Sequence, residues 1–299
     1  MVKSLIFYLK TLLVFILITD CSQSNRPFVE EVDNLKIDTL APFYHGVASG
    51  DPLKDKVIIW TRVTPENHEN KISVYWELSK FSDFRKVFKN GTFLTDADRD
   101  YTVKVDVEGL ESGTSYFYRF ESYGKKSITG RTKTINSLSE SLRFAIVSCS
   151  DYQRGYFNSY SSISDEENLD AVIHLGDYIY EYKSRDYSNG IFDRLHLPDK
   201  ELITLGDYRT RHSQYKLDID LIEAHRNHPF ILIWDDHETS NNTYKGGAEN
   251  HQESEEGDFD ERISAALKAY YEWQPIRENS KPYRNFRFGE IADIIILED

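Results

Sequence analysis

Between Leu40 and Thr134 apolar and polar positions alternate in short runs. Lys56–Val63, Lys71–Glu77, Tyr101–Val107 and Ser115–Phe120 each read as a strand, with turn segments such as Ser49–Pro52 and Glu111–Thr114 between them. In Tyr101–Val107 the side chains of Tyr101, Val103, Val105 and Val107 share one face, while Thr102, Lys104 and Asp106 share the other. That alternation predicts a half-buried strand with its polar side in water. Strands of this kind and number predict an all-β sandwich of immunoglobulin or fibronectin type III character over residues 39–135.

After a Ser-rich connector, Ile135–Ser141, the texture changes. Apolar runs at 143–149, 170–176 and 230–234 alternate with helix-compatible stretches around 156–167, 208–227 and 260–273. The alternation predicts a second, α-and-β domain over residues 142–299. Arg287–Leu297 reads as one more strand entering a sheet, delivering Glu298 and Asp299 at its carboxyl end. A domain that stops on such a strand is expected to be incomplete.

The chain has 299 residues and a formal charge of −14, with 20 Tyr and 17 Phe. Its length supports two domains, its aromatic content favours strands and aromatic-lined clefts, and its acidity argues against a nucleic-acid partner. The first 20 residues are an apolar stretch with Lys3 and Lys10, too short for a confident membrane span. They read as an export signal ending at Cys21, a lipoprotein-type site, with residues 22–38 as a linker. The expected location is therefore the bacterial cell envelope, membrane-anchored through lipidated Cys21. Cys149 is then left without a disulfide partner, so it should be deeply buried or metal-bound.

Three apolar strands end in residues able to hold metal. Ala145–Ser150 ends on Cys149; Ala171–Glu181 carries Gly176, Asp177 and Tyr180; Phe230–Glu238 ends in Asp235, Asp236, His237 and Glu238. Gly176 permits a tight turn that leaves both oxygens of Asp177 open to metals, and a ferric ion accepts thiolate and phenolate where calcium refuses thiolate. Asp236 reads as a second-metal ligand and His237 as the group that meets a substrate oxygen or the leaving group. Asn241 and Asn242 supply neutral oxygens suited to calcium, or amide donors.

Blander readings stand beside each of these. Asp177 could cap a helix between core tyrosines, Cys149 could fill core space, and the acids near His237 could open an exposed helix. His174 reads as core. Arg154, Arg209 and Arg211 are possible anion clamps or ordinary ion-pair arginines. No G-x-S-x-G elbow is present, which leaves a serine hydrolase weakly supported.

Six segments together resemble one family. These are Phe43–Pro52 (FYHGVASGDP), Val57–Arg62 (VIIWTR), Gly130–Thr134 (GRTKT), the Cys149 strand, His174–Tyr182 (HLGDYIYEY) and Trp234–Asn242 (WDDHETSNN). They are similar to the PhoD-type alkaline phosphatase and phosphodiesterase family, over residues 40–299. The resemblance implies an amino-terminal β-sandwich followed by a calcineurin-like metallophosphatase domain, an αββα sandwich present here in its N-terminal part. It implies metal-activated hydroxide attacking phosphate monoesters or diesters, with Fe3+ and one or two Ca2+. Carried over, Cys149, Asp177 and Tyr180 are iron-side ligands, with Asp177 bridging to calcium. Asp236 or Asn241 serves calcium, His237 is catalytic, and Arg154 faces phosphate. The family's later G-D-x-H-like segment has no match before Asp299. The expectation is a monomeric phosphoric ester hydrolase acting on a small or cell-envelope phosphate ester. The alternative is an inactive lipoprotein that serves as a binding or structural module.

Overall fold

The computed structural model describes residues 37–66, 70–186, 194–278 and 283–297. The export signal, Cys21, most of the linker, and Glu298 and Asp299 lie outside these described residues. No helix among them is long and apolar enough to cross a membrane.

The first segment forms β1 (Val47–Gly50), β2 (Lys56–Arg62), β3 (Lys71–Ser79), β4 (Val87–Asp96), β5 (Thr102–Glu108), β6 (Ser115–Ser122), β7 (Lys125–Lys126) and β8 (Gly130–Lys133). The second forms β9 (Phe144–Val147), β10 (Ala171–His174), β11 (Pro229–Leu232), the short pair β12 (Thr243–Tyr244) and β13 (Gly247–Ala248), then β14 (Tyr283–Phe288) and β15 (Ala292–Leu297). Helices α1 (Asn158–Ser164), α2 (Leu205–Tyr215), α3 (Ile219–Asn227), α4 (Glu253–Glu256) and α5 (Phe259–Trp273) complete the second segment.

Two sheets from the first segment face each other across one core. Val57, Ile59, Val103 and Val107 on one side pack with Ile72, Val74, Tyr116, Tyr118 and Phe120 on the other. The first of these sheets does not end there. It runs β5-β2-β1-β11-β10-β9, so the first segment's strands continue into the second segment's, and β1 pairs parallel with β11.

That continuity corrects the expectation for β5. Its polar side chains meet protein rather than water: Lys104 donates to the Tyr271 carbonyl and pairs with Glu278 at 3.0 Å, and Asp106 pairs with Arg277 at 2.7 and 2.8 Å. β4 has no counterpart in the sequence reading, and its Asn90-Gly91 pair, a common turn dipeptide, lies inside the strand. Gly91 instead lies opposite Trp76, whose ring would sit 2.8 Å from a Cβ at that position.

Around β9, β10 and β11 the chain builds layers. Val172, Phe230 and Leu232 point to a core shared with α2, α3 and α5, while Ala171, Ile173 and Ile231 point to a second core under the β14–β15 hairpin. Period-two alternation feeds both faces, which is why these runs look continuously apolar in sequence.

Two element expectations are revised. The stretch 208–227 is two helices, because Asp218 accepts from the backbone N–H groups of Asp220 and Leu221 and so starts α3 afresh. Arg287–Leu297 is not one strand. Gly289 at φ +58 turns the chain, and Phe288 sits opposite Ala292 in a hairpin.

Candidate metal centre

β9, β10 and β11 are parallel and in register, so their carboxyl ends open on one edge of the sheet. The ladder continues into the loops: Cys149 N–H donates to the Gly176 carbonyl at 3.2 Å and Ser150 N–H to the Asp177 carbonyl at 2.8 Å. The two loops are thereby tied together. Both Cys149 and Asp177 have left-handed backbones, at φ +56 and +54. Such positions in non-glycine residues cost energy and gather at functional sites. Gly176, at φ +102, admits no side chain, since a Cβ there would lie 2.4 Å from that of Asp235.

Around the Asp177 carboxylate two groups of donors meet. The Cys149 thiol and the Tyr180 hydroxyl each lie 3.3 Å from its Oδ2. Ligand atoms of Asp177, Asp236 and His237 all fall within 4.8 Å of one another. Asp177 belongs to both groups. Its Oδ1 is buried and has no hydrogen-bond partner among the described residues. A buried carboxylate oxygen without a donor is costly unless a cation meets it, and thiol, phenol, carboxylates and imidazole are the donor types a transition metal takes. The residues fit such a group.

Protonation follows from burial and from crowded negative charge. Burial pushes the Asp177 carboxyl up, opposed by His237 and Cys149 and assisted by Asp236 and Asp235. The Cys149 thiol and the Tyr180 phenol are also pushed up, in each case first by burial and further by the Asp177 charge. Either group would have to give up its proton to hold a cation here.

His237 is held from behind. Its Nδ1 lies 2.7 Å from Glu181 Oε2, and the Tyr180 ring packs against the imidazole at 4.3 Å between centroids. Burial disfavours its charge, but Glu181, Asp177 and Asp236 outweigh that and raise its pKa above the usual value. With Nδ1 engaged, Nε2 is the nitrogen that addresses the site.

Glu238 latches the loops from beneath. Its carboxylate accepts the backbone N–H groups of Asp177 at 3.1 Å, Tyr178 at 2.5 Å and Asp235 at 2.8 Å. Complete burial nonetheless pushes its pKa up to about 8. Glu181 received no role from sequence and Glu238 only a place among the acids able to hold metal, although they lie inside the quoted HLGDYIYEY and WDDHETSNN segments. Their one available signal was an acid beside candidate ligands on buried strand ends.

The remaining candidates are placed as follows. Asp236 accepts the Asn242 N–H at 2.5 Å, and Asn241 is fixed through its backbone N–H to Glu181 Oε1 at 2.7 Å. Cys149 is exposed, which removes its reading as core filler. Arg154, on the loop leaving Cys149, pairs with Asp151 at 3.2 Å. Arg209 and Arg211 are not anion clamps. Arg209 grips Glu272 at 2.7 and 2.6 Å, and buried Arg211 donates to the carbonyls of Tyr180, Leu197 and Pro198. His174 is core, bridging the Gly176 N–H and Ser150.

A family model described as PhoD-like phosphatase matches residues 144–299, and one described as PhoD-like phosphatase, N-terminal domain, matches residues 34–136. Alkaline phosphatase D of Bacillus subtilis (strain 168) is 38% identical over 273 residues, covering 86% of this chain and 46% of that protein. A solved structure of PhoD superposes with a TM-score of 0.77 at 39% identity, covering 84% of this chain and 51% of that one. The chain spans about half the length of these relatives.

Proposed function

The chain belongs to the PhoD-like phosphatase family, and from that membership we propose that it forms part of a metal-dependent hydrolase of phosphate monoesters or diesters. The observation that carries the reading is the meeting of two donor groups on Asp177. Cys149, Asp177 and Tyr180 would hold one cation, read as Fe3+ because thiolate and phenolate suit it. Asp177 and Asp236, with Asn241 as the alternative to Asp236, would hold Ca2+. Bound metals lower the pKa of a nucleophilic water and offset charge on phosphoryl oxygens.

The chain's own residues supply the rest. Gly176 and Glu238 fix the Asp177 backbone so that the carboxylate is presented without reorganisation. Glu181 sets the His237 ring, whose Nε2 would bind a substrate oxygen or deliver a proton to the departing alcohol. Arg154 is assigned to phosphate by family resemblance alone.

The finer architecture belongs to the same proposal. We read the first segment as an immunoglobulin- or fibronectin-like sandwich and the second as the N-terminal part of an αββα metallophosphatase sandwich. Support comes from the two facing sheets of the first segment and from the helix, sheet, hairpin layering of the second. Export, lipidation at Cys21 and a cell-envelope phosphate ester as substrate are proposed on the sequence alone.

The test is hydrolysis of an aryl phosphate monoester and diester by the purified chain with Fe3+ and Ca2+, against Cys149→Ala. Faster turnover by the unsubstituted chain supports the reading. Equal rates, or none in either, count against it and favour a non-catalytic module.

A further inference from the structure

Beyond Asn242 the chain makes a tight hairpin from β12 and β13, in which Thr243 lies opposite Ala248 and Tyr244 opposite Gly247. Gly246 turns it at φ +89. The stem is tied to the metal centre on both sides. The Asn241 N–H and the Asn250 Nδ2 donate to the same oxygen of Glu181 at 2.7 and 3.0 Å, and the Asn242 N–H donates to Asp236 Oδ2 at 2.5 Å. Glu181 also orients His237, so the hairpin and the imidazole share one buried support.

Tyr244 is held unusually closely for so exposed a side chain. A Cβ at Gly247 would lie 2.6 Å from its hydroxyl oxygen and 2.8 Å from the ring carbon that bears it. The ring therefore lies across the opposite strand, in space that only a glycine leaves free, and Tyr244 is still 63% exposed. Backbone supports one side of the ring, and the other side meets water. An aromatic ring laid over a hairpin glycine stabilises the strand pair in its own right. It also presents an aromatic surface whose conformation is set before a ligand arrives, and such a surface takes flat apolar groups at low entropic cost.

The position of the ring relative to the chemistry gives it a use. Tyr244 is two residues beyond Asn242, a backbone span of about 7 Å at most. Asn242 in turn touches Asp236, whose carboxylate clusters with Asp177 and His237. The hairpin follows His237 in the chain, and His237 is the group assigned above to the departing alcohol. We propose that Tyr244 is a specificity-determining residue that receives the alcohol portion of the phosphate ester, and that the favoured alcohols carry a ring with a flat apolar face, aromatic or sugar. The inference rests on the proposed hydrolase site and adds a substrate class to it. An ester of a small acyclic alcohol would reach the metal centre without contacting the ring.

Calorimetry of the purified chain, loaded with Fe3+ and Ca2+, compares three non-hydrolysable probes: methylphosphonate, phenylphosphonate and a C-glucosyl methylphosphonate. At least one ring-bearing probe should bind about three- to tenfold tighter than methylphosphonate. Which one gains tells an aromatic alcohol from a sugar. Tyr244→Ala should abolish the preference, Tyr244→Phe should keep it, and Gly247→Ala, whose methyl takes the space of the ring, should lose it. A ring that only stabilises the hairpin would lower thermal stability in Tyr244→Ala and leave the preference intact. No preference in the parent chain, or one that survives Tyr244→Ala, overturns the proposal, and methylphosphonate binding in that case leaves the hydrolase reading standing. Ring preference without turnover of any ester sustains the role of Tyr244 and counts against hydrolysis. A chain that binds none of the three probes overturns both.

Discussion

Glu181 Oε2 lies 2.7 Å from His237 Nδ1, and its other oxygen accepts the Asn241 N–H at 2.7 Å and the Asn250 Nδ2 at 3.0 Å. One fully buried carboxylate thus orients the imidazole and anchors the segment that follows it. Glu181→Gln turns an amide N–H toward one of these donors. Stability to denaturant is expected to fall by about 1–3 kcal/mol. In the metal-free protein the His237 titration should also move to lower pH, because the charge that favours the imidazolium is gone; an unchanged NMR titration would contradict the assignment.

Glu238 predicts a larger loss. Glu238→Ala strands the N–H groups of Asp177, Tyr178 and Asp235 in the interior. Unsatisfied buried donors cost about 1–3 kcal/mol each, so the expected penalty exceeds about 3 kcal/mol, accompanied by loss of metal uptake. Denaturant unfolding and metal stoichiometry check both parts, and a variant that unfolds like the parent would refute the latch.

Gly176 and Gly124 separate steric exclusion from backbone strain. Both have positive φ, +102 and +68, but a Cβ at Gly176 meets Asp235 at 2.4 Å while one at Gly124 meets nothing within 4 Å. Gly124→Ala should cost about 1–2 kcal/mol, the left-handed penalty alone. Gly176→Ala should cost clearly more and displace Asp235. Equal costs in thermal unfolding would show that the close approach carries no weight.

Acid should unfold this protein early. His45, His174, His196, His212, His225 and His228 are buried, and desolvation holds each well below the ordinary value, to about 3 for His174 and His212, about 2 for His196 and about 4 for His228. Unfolded histidines bind protons near pH 6.5, so below that pH the unfolded state takes up more protons and stability falls. The contribution is complete above about pH 6.5 and is lost as pH drops toward the folded values. Each histidine adds up to about 1.4 kcal/mol per pH unit. Denaturation midpoints at pH 7, 6 and 5 should decline steeply; a flat profile would contradict neutral buried imidazoles.

Local patterns made several strands, and the residues at their ends, legible; tertiary pairings were not. Cys149, Asp177 and Asp236 could be read because each follows an apolar run that alternation marks as buried. The joining of β1 to β11 was hidden, since parallel pairing between residues some 180 positions apart leaves no local trace. For the same reason Lys104 and Asp106 looked solvent-facing. Glu181 escaped assignment, and Glu238 read only as an acid able to hold metal, because a buried acid that accepts backbone N–H groups has the same sequence signature as a metal ligand.

Cys149, Asp177 and Tyr180 are proposed to surround one cation. Ferric iron added to the purified chain should bind and give visible charge-transfer absorption, with the thiolate band absent in Cys149→Ala and the phenolate band absent in Tyr180→Phe. A chain that takes up no iron, or whose absorption is unchanged by both substitutions, would contradict it.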